Sequence, residues 1–319
     1  MSDLVAVTRW LPPPGIAPLQ ADNRTVQYRD IDEPPSPAEL LELVRGARAI
    51  LSLLTERIDD AVLDAAGPQL QVVANMAVGY DNIDVAACRR RGIVVTNTPD
   101  VLTEATADLT WALLLAAARR IGEGERLVRA RAWTGWRPGQ LLGMGLQGKL
   151  LGIVGMGKIG SAVARRAGAF GMTVCYHNRS ESTSAAALGA RRASLDELLR
   201  TSDIIVITAP STPETHHLID HAALAKMKPT AVLVNTARGP LVDEAALVDA
   251  LQSGRLRACG LDVYEQEPTI HPGLFDCENA VLLPHLGSGS EEARAGMVEL
   301  ACANIVAVLN GNQPPTPVL

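Results

Sequence analysis

The sequence predicts an α/β protein built of two doubly wound parallel sheets. Three observations carry this prediction. Short apolar runs alternate with stretches of helical spacing along almost all of the 319 residues. A long helical stretch and a loop rich in Trp and Gly divide the alternation into two series. The second series opens on Gly155-x-Gly157-x-x-Gly160, set between an apolar run and a helical one. Strands separated by helices of this length form right-handed βαβ units, and a succession of such units makes a parallel sheet.

In the first series "LVAVTRW" is strand-like, "AELLELVRGA" helical and "AILSLL" strand-like again. "ERIDDAVLDAA" then reads as helix, "LQVVANMAV" as strand, "DVAACRRRG" as helix and "IVVTNT" as a short strand. Asp81 and Asp84 in "GYDNID" suit capping of a helix that begins near Ile83 better than metal ligation. A single long helix is expected from Thr103 to about Arg131, with Asp100 or Thr103 as its N-cap. After "AWTGWRPGQLLGMGLQGK" the second series supplies "LLGIVGMG", "MTVCYHN", "DIIVITAP", "AVLVNTARG", "ACGLDVY" and "NAVLLPHLG" as strands. "SEEARAGMVELACANIVAVLNG" closes the chain as one helix ended by Gly311, and its periodicity does not say where it packs.

Composition bounds the function. With 47% hydrophobic and 20% charged residues the chain suits two soluble domains at roughly 150 residues each. A net charge of −6 gives no pull toward nucleic acid, so the arginine-rich pieces read as solvated helix faces. Cys88, Cys175, Cys259, Cys277 and Cys302 stand singly, without C-x-x-C, and their odd number predicts a reducing compartment. "MSDLVAVTRW" lacks the basic start of a signal peptide, and "WALLLAAA" falls short of the ~18 residues that span a bilayer. A cytoplasmic protein without membrane or nucleic-acid partners is expected.

Gly155, Gly157 and Gly160 allow a tight turn in which backbone N–H groups and a helix N-terminus approach a pyrophosphate. About twenty residues later an NAD-selective site presents Asp or Glu to the ribose. Here that place holds Asn178, followed by Arg179 and Ser180. Asn178 does not repel a 2′-phosphate, Arg179 makes charge-assisted bonds to one, and Ser180 donates another, so NADP(H) is the expected cofactor and NAD(H) a possible one.

The strand ends of the second series supply Arg238, Glu267 and His285, one fixed cation, one carboxylate and one imidazole. Ligands bind at the carboxyl ends of strands in such folds. This trio suits reduction of a 2-oxo acid: Arg238 binds the carboxylate and polarises the carbonyl, His285 delivers the proton, and Glu267 orients and charges the imidazole. His217 and His221, four apart, have a spacing that places two metal ligands on one helix face, but no third ligand is near in sequence and no metal is expected.

"VGMGKIG", "NTARGPLVDEAAL", "GLDVYEQEP" and "LLPHLGSGS", in this order, resemble the D-isomer-specific 2-hydroxyacid dehydrogenases. "NMAVGYDNIDV" and "TNTPDVLTEATADL" extend the resemblance over nearly the whole chain, and the Trp-rich loop is similar to that of the glyoxylate/hydroxypyruvate reductase branch. The resemblance implies a flavodoxin-like substrate domain, residues 1–99 with 290–319, and a Rossmann cofactor domain, residues 100–289, with a cleft between them. Arg238, Glu267 and His285 then match the family's catalytic residues. Val78 and Gly79 match the loop that receives the substrate carboxylate, with Leu53 or Leu54 near the same pocket. Thr106 matches a phosphate-side contact, and Lys158-Ile159 stand where the family has Arg-Ile in the glycine turn. Ala209, Pro210 and Thr215 line the adenosine and phosphate side, Thr236, Ala237 and Asp262 approach the nicotinamide, and Arg238, His285 and Gly287 are further cofactor contacts.

The resemblance also implies a homodimer, in which Trp136, or else Trp133, reaches the partner's active site. Gly139 and Gln140 depart from the branch's pattern where a bulkier residue is expected, which keeps a larger substrate such as 2-ketogluconate open. A dinucleotide-sensing binding protein is the alternative outside the enzymes.

Overall fold

Ala49–Ser52, Val72–Asn75, Ile204–Ile207 and Val232–Asn235 are buried at every position. Parallel strands with helices on both faces require such unbroken apolar runs. The structure, a computed structural model, describes residues 3–318. It divides into two units, one reaching Leu102 and resuming at Ser288, the other spanning Thr103–Gly287. Among the described residues no helix is long and apolar enough to cross a membrane.

The first unit holds β1 (Leu4–Val7), α1 (Ala17–Ala21), β2 (Thr25–Tyr28), α2 (Pro37–Leu43), β3 (Ala49–Ser52), α3 (Asp60–Ala66), β4 (Val72–Asn75), α4 (Val85–Arg90) and β5 (Val94–Thr96). Its parallel sheet runs β2-β1-β3-β4-β5. The alternation of apolar runs did not indicate β2 or α1; β2 is a half-exposed edge strand with too little apolar content to stand out. Helix α4 starts at Val85, later than expected, because Ile83 is drawn into a parallel bridge with Ile58. Asp84 caps it, accepting from the Ala87 N–H at 2.8 Å.

The C-terminal helix, Glu291–Leu309, begins at a Ser290 cap and packs on β3, β4 and α1 of this unit. Buried Asn304 ties it to the sheet: its amide donates to Thr316 Oγ1 at 2.8 Å, and its oxygen accepts from the Thr316 N–H at 3.0 Å. Thr316 in turn donates to the Asn97 carbonyl at 2.7 Å.

The second unit holds α5 (Thr103–Ala118), α6 (Ile121–Arg129), β6 (Leu150–Val154), α7 (Lys158–Ala167), β7 (Thr173–His177), β8 (Arg191–Arg192), α8 (Leu195–Thr201), β9 (Ile204–Ile207), α9 (His221–Lys226), β10 (Val232–Asn235), α10 (Glu244–Gln252), β11 (Ala258–Leu261), α11 (Pro272–Phe275) and β12 (Ala280–Leu282). Its parallel sheet runs β12-β11-β10-β9-β6-β7-β8. The single helix expected from Thr103 to Arg131 is two. Arg120 takes φ +56 between them. The chain after the Trp-rich loop returns here, and the Met144 N–H takes the Ala118 carbonyl at 2.7 Å, an acceptor that a continuous helix would need for itself. Helix α5 packs on α7, β10 and β11, and Trp111 donates from Nε1 to the Val163 carbonyl at 3.1 Å.

Asn304→Ala leaves the Thr316 N–H and its neighbours without their buried partner. We expect a loss of about 1–3 kcal/mol, read as a lowered midpoint in urea unfolding; an unchanged midpoint would show that the tail does not depend on Asn304.

Candidate active site

At the end of β6, Gly155 has φ +96, a conformation open to glycine, and a Cβ there would lie 2.4 Å from the Ala209 nitrogen. The turn is held from outside: the Gly155 N–H donates to the His177 carbonyl at 3.0 Å, and Thr208 Oγ1 donates to the Gly155 carbonyl at 2.6 Å. Several helices of the structure close their first turns with Ser36, Asp59, Asp84, Ser194 or Asp220 side chains. Helix α7 starts instead at Gly157, with no side-chain cap, followed by Lys158, Ile159 and Gly160. Nothing lies within 4 Å of where a Gly157 Cβ would stand. An uncapped helix start with open space over its first residue fits a dinucleotide pyrophosphate.

Ala209, Pro210 and Thr215 sit in the loop after β9, which Thr215 closes by donating from Oγ1 to the Pro210 carbonyl at 2.9 Å. At the end of β7 the Asn178 amide is engaged with the glycine turn: its oxygen accepts from the Met156 N–H at 2.6 Å and its nitrogen donates to the Met156 carbonyl at 3.3 Å. Asn178 therefore braces the turn, while Arg179 and Ser180 are exposed.

The three charged residues converge on the ends of β10, β11 and β12. After β10, Asn235 shapes the turn "NTAR": its oxygen accepts from the Ala237 N–H at 3.0 Å and its amide donates to the Arg238 carbonyl at 2.9 Å. Thr236 shares a hydrogen bond of 2.8 Å with Thr110, whose hydroxyl donates to the Thr106 carbonyl. Arg238 donates from Nη1 to the Ala237 carbonyl at 2.8 Å. After β11, Glu267 Oε1 accepts from the Tyr264 N–H at 3.0 Å and Oε2 faces His285 Nδ1 at 2.8 Å. The side chains of His285 and Glu267 are 25% and 30% exposed, so the pair is open to a ligand.

His285 has φ +56, unusual for a residue with a side chain. Asp262 holds it there. Its carboxylate accepts from the N–H groups of Leu286 at 2.6 Å and Gly287 at 2.7 Å, and its carbonyl accepts from the His285 N–H at 2.9 Å. Burial pushes the Asp262 carboxyl up, against the pull of those N–H groups and of His285. Thr106 lies beside Gly287 on the same face.

Three residues of this support were not indicated by sequence reasoning. His217 Nε2 meets Glu265 Oε1 at 2.6 Å, and the His217 N–H donates to the Pro240 carbonyl at 2.8 Å. Buried Glu244 accepts from the N–H groups of Glu265 at 2.7 Å and His271 at 3.1 Å. These bonds tie the Arg238 turn to the Glu267 turn. His217 stands out in sequence only for its spacing to His221, and Glu244 and Glu265 carry no marked role within "NTARGPLVDEAAL" and "GLDVYEQEP"; only their meeting in space gives them this one.

His217 lies ahead of α9, not on one face with His221 as its spacing suggested. His216, His217 and Glu265 bring three donor atoms within 4.8 Å of one another. The two rings are stacked, centroids 4.0 Å apart and planes 27° apart, and the His217 Nε2 is engaged with Glu265. In the first unit, Leu53 follows β3 and Val78 and Gly79 follow β4. Asn82 donates to the Leu53 carbonyl at 3.0 Å, Asn97 to that of Val78 at 2.8 Å and Asn75 to that of Gly79 at 2.8 Å. Trp136, in the loop after α6, is 80% exposed.

Residues 111–287 match the model of the D-isomer specific 2-hydroxyacid dehydrogenase NAD binding domain. The glyoxylate reductase of Thermococcus onnurineus is 48% identical over 321 residues, 99% of this chain and 96% of its own length. A crystal structure of a glyoxylate reductase from Paecilomyes thermophila superimposes with a TM-score of 0.90 at 35% identity, over 99% of this chain and 98% of that one. An NADPH-dependent glyoxylate/hydroxypyruvate reductase from Sinorhizobium meliloti, in complex with NADP and malonate, does so with a TM-score of 0.86 at 33% identity, over 100% and 97%. The uncapped glycine turn and the triad of strand-end residues thus sit in a chain that belongs to the D-isomer specific 2-hydroxyacid dehydrogenase family, and it is an NAD(P)-dependent oxidoreductase.

Proposed function

We propose that the protein reduces the small 2-oxo acids glyoxylate and hydroxypyruvate to 2-hydroxy acids, D where the carbon is chiral, and takes NADPH in preference to NADH. The observation that carries this reading is the His285–Glu267 pair beside the Arg238 turn, at strand ends of the sheet that carries the glycine turn. A bound nicotinamide supplies the hydride. Arg238 grips the substrate carboxylate with paired N–H groups and draws charge from the carbonyl. His285 gives a proton to the carbonyl oxygen from Nε2, since Nδ1 faces Glu267.

Glu267 holds the ring by its Nδ1 edge. Burial pushes its carboxyl up, but the hydrogen bond and charge of His285, the Tyr264 N–H and the Arg238 charge outweigh burial and hold it below its ordinary value. It therefore stays ionised as pH falls through the usual carboxylate range and keeps an oxygen against Nδ1 of the ring. The stability this pairing adds is present above the ordinary glutamic acid range and is lost only as pH falls through the lowered folded value.

Arg179 and Ser180, with no carboxylate in their place, support NADPH, as does the NADP bound by the Sinorhizobium meliloti relative. Exposed Ile121, Val128, Trp133, Trp136 and Leu142, on α6 and the loop after it, support a homodimer.

Oxidation of NADPH and of NADH at equal concentration, with each acceptor, tests the reading. Faster turnover with NADPH is expected, equal rates would discard the cofactor preference, and no rate with either would discard the substrates. Arg238→Ala and His285→Ala should each lower kcat about 10²–10⁴-fold with an unchanged melting temperature; near wild-type kcat in both would sink the assignment. Glu267→Gln should also lower kcat, because the ring loses the carboxylate that holds Nδ1, and a kcat that coincides with wild type would remove Glu267 from the role.

A further inference from the structure

Arg192 stands one strand further out than Arg179. It belongs to β8, paired in parallel with β7 so that Arg192 lies opposite Tyr176. Its Nη2 donates to the Arg179 carbonyl at 2.8 Å and to the Asn178 carbonyl at 3.1 Å. Those two bonds fix the guanidinium at the end of β7 and leave the N–H groups of Nε and Nη1 to point elsewhere. The same strand end borders a cleft of about 360 Å³ lined by His177, Asn178, Arg192, Ala193, Ser194 and Glu197.

The carboxylates around this cleft do not neutralise Arg192. Glu197 pairs with Arg191 at 2.7 Å. Glu214 sits on the side of Arg179: hydrogen bonds from Thr212 and its own N–H, and then the Arg179 charge, hold its carboxyl below the ordinary value. Asn178 is committed to Met156. The polar character of the strand end thus comes from arginines on two strands, where the sequence motif shows one.

We propose that Arg192 and Arg179 together clamp a phosphomonoester dianion, the 2′-phosphate of NADP, and that Arg192 is a specificity-determining residue for NADP over NAD. This rests on the NADPH preference argued above and assigns it to a second residue. Such a phosphate carries a charge near −2 at neutral pH, so one arginine leaves about half of it uncompensated. A guanidinium already held by two carbonyls loses little freedom when it takes a phosphate oxygen. A ribose with free hydroxyls gains nothing from this charge.

Calorimetric titration of the full chain with 2′,5′-ADP and with 5′-AMP tests the clamp without nicotinamide or turnover. Wild type should bind 2′,5′-ADP at least about tenfold more tightly, the return on a charge-assisted hydrogen bond. Arg192→Leu should lose about tenfold for 2′,5′-ADP and keep its affinity for 5′-AMP, and Arg192→Lys should keep part of the preference. If wild type discriminates and Arg192→Leu does so equally, the Arg192 assignment fails and the NADPH reading stands. If wild type does not discriminate, the NADPH reading fails and the clamp with it. If both variants lose 5′-AMP as well, Arg192 only braces the strand end and the assignment is overturned.

Discussion

Residue 239 has no side chain, and the geometry of the active site depends on that. A Cβ built there would stand 1.8 Å from the carbonyl carbon of Tyr264, inside any non-bonded distance. The turn after β10 and the turn after β11 can lie backbone against backbone only because the position is glycine. Arg238 is the residue before this contact, and Glu267 follows it by three residues on the other side. Glu267 then sets the orientation of His285 through Nδ1. The spacing of the three charged groups is therefore inherited from a peptide contact, not from packing among the side chains themselves.

Buried carboxylates keep the contact in place. Asp262 and Glu244 are nearly or wholly excluded from solvent, and each spends its oxygens on backbone N–H groups of the loops that carry function. A buried carboxylate is costly unless its oxygens are bonded, so these loops lose heavily by moving away. The left-handed backbone at His285 costs on the order of 1–3 kcal/mol, and the Asp262 bonds offset it. Donors and charges held in advance do not have to be reorganised when a substrate changes charge, which is how such rigidity serves catalysis.

The limits of sequence reading follow from what each residue needed to know. The four-residue buried strands were legible because parallel strands covered on both faces leave an unbroken apolar run. Strand β2 was not, since its edge position leaves it half-exposed. The break after α5 was invisible because all of Thr103–Arg131 has helical spacing; what ends α5 is the Met144 N–H arriving at the Ala118 carbonyl. Asn178 fell at the expected place in sequence, yet which partner its amide takes depends on where the Gly155 turn lies. Arg192 could not be joined to Arg179 without the pairing of β7 with β8.

By itself the sequence determined the two series of βαβ units, the glycine turn and the three charged residues at strand ends. Each of these is written in local periodicity or in a short contiguous motif. Only the tertiary structure decided the division of the long helix, the Asn178–Met156 brace, the His217–Glu265–Glu244 support and the second arginine at the end of β7. Each of those is a bond between residues distant in the chain, and its partner is chosen by which backbone groups the fold brings within hydrogen-bond reach.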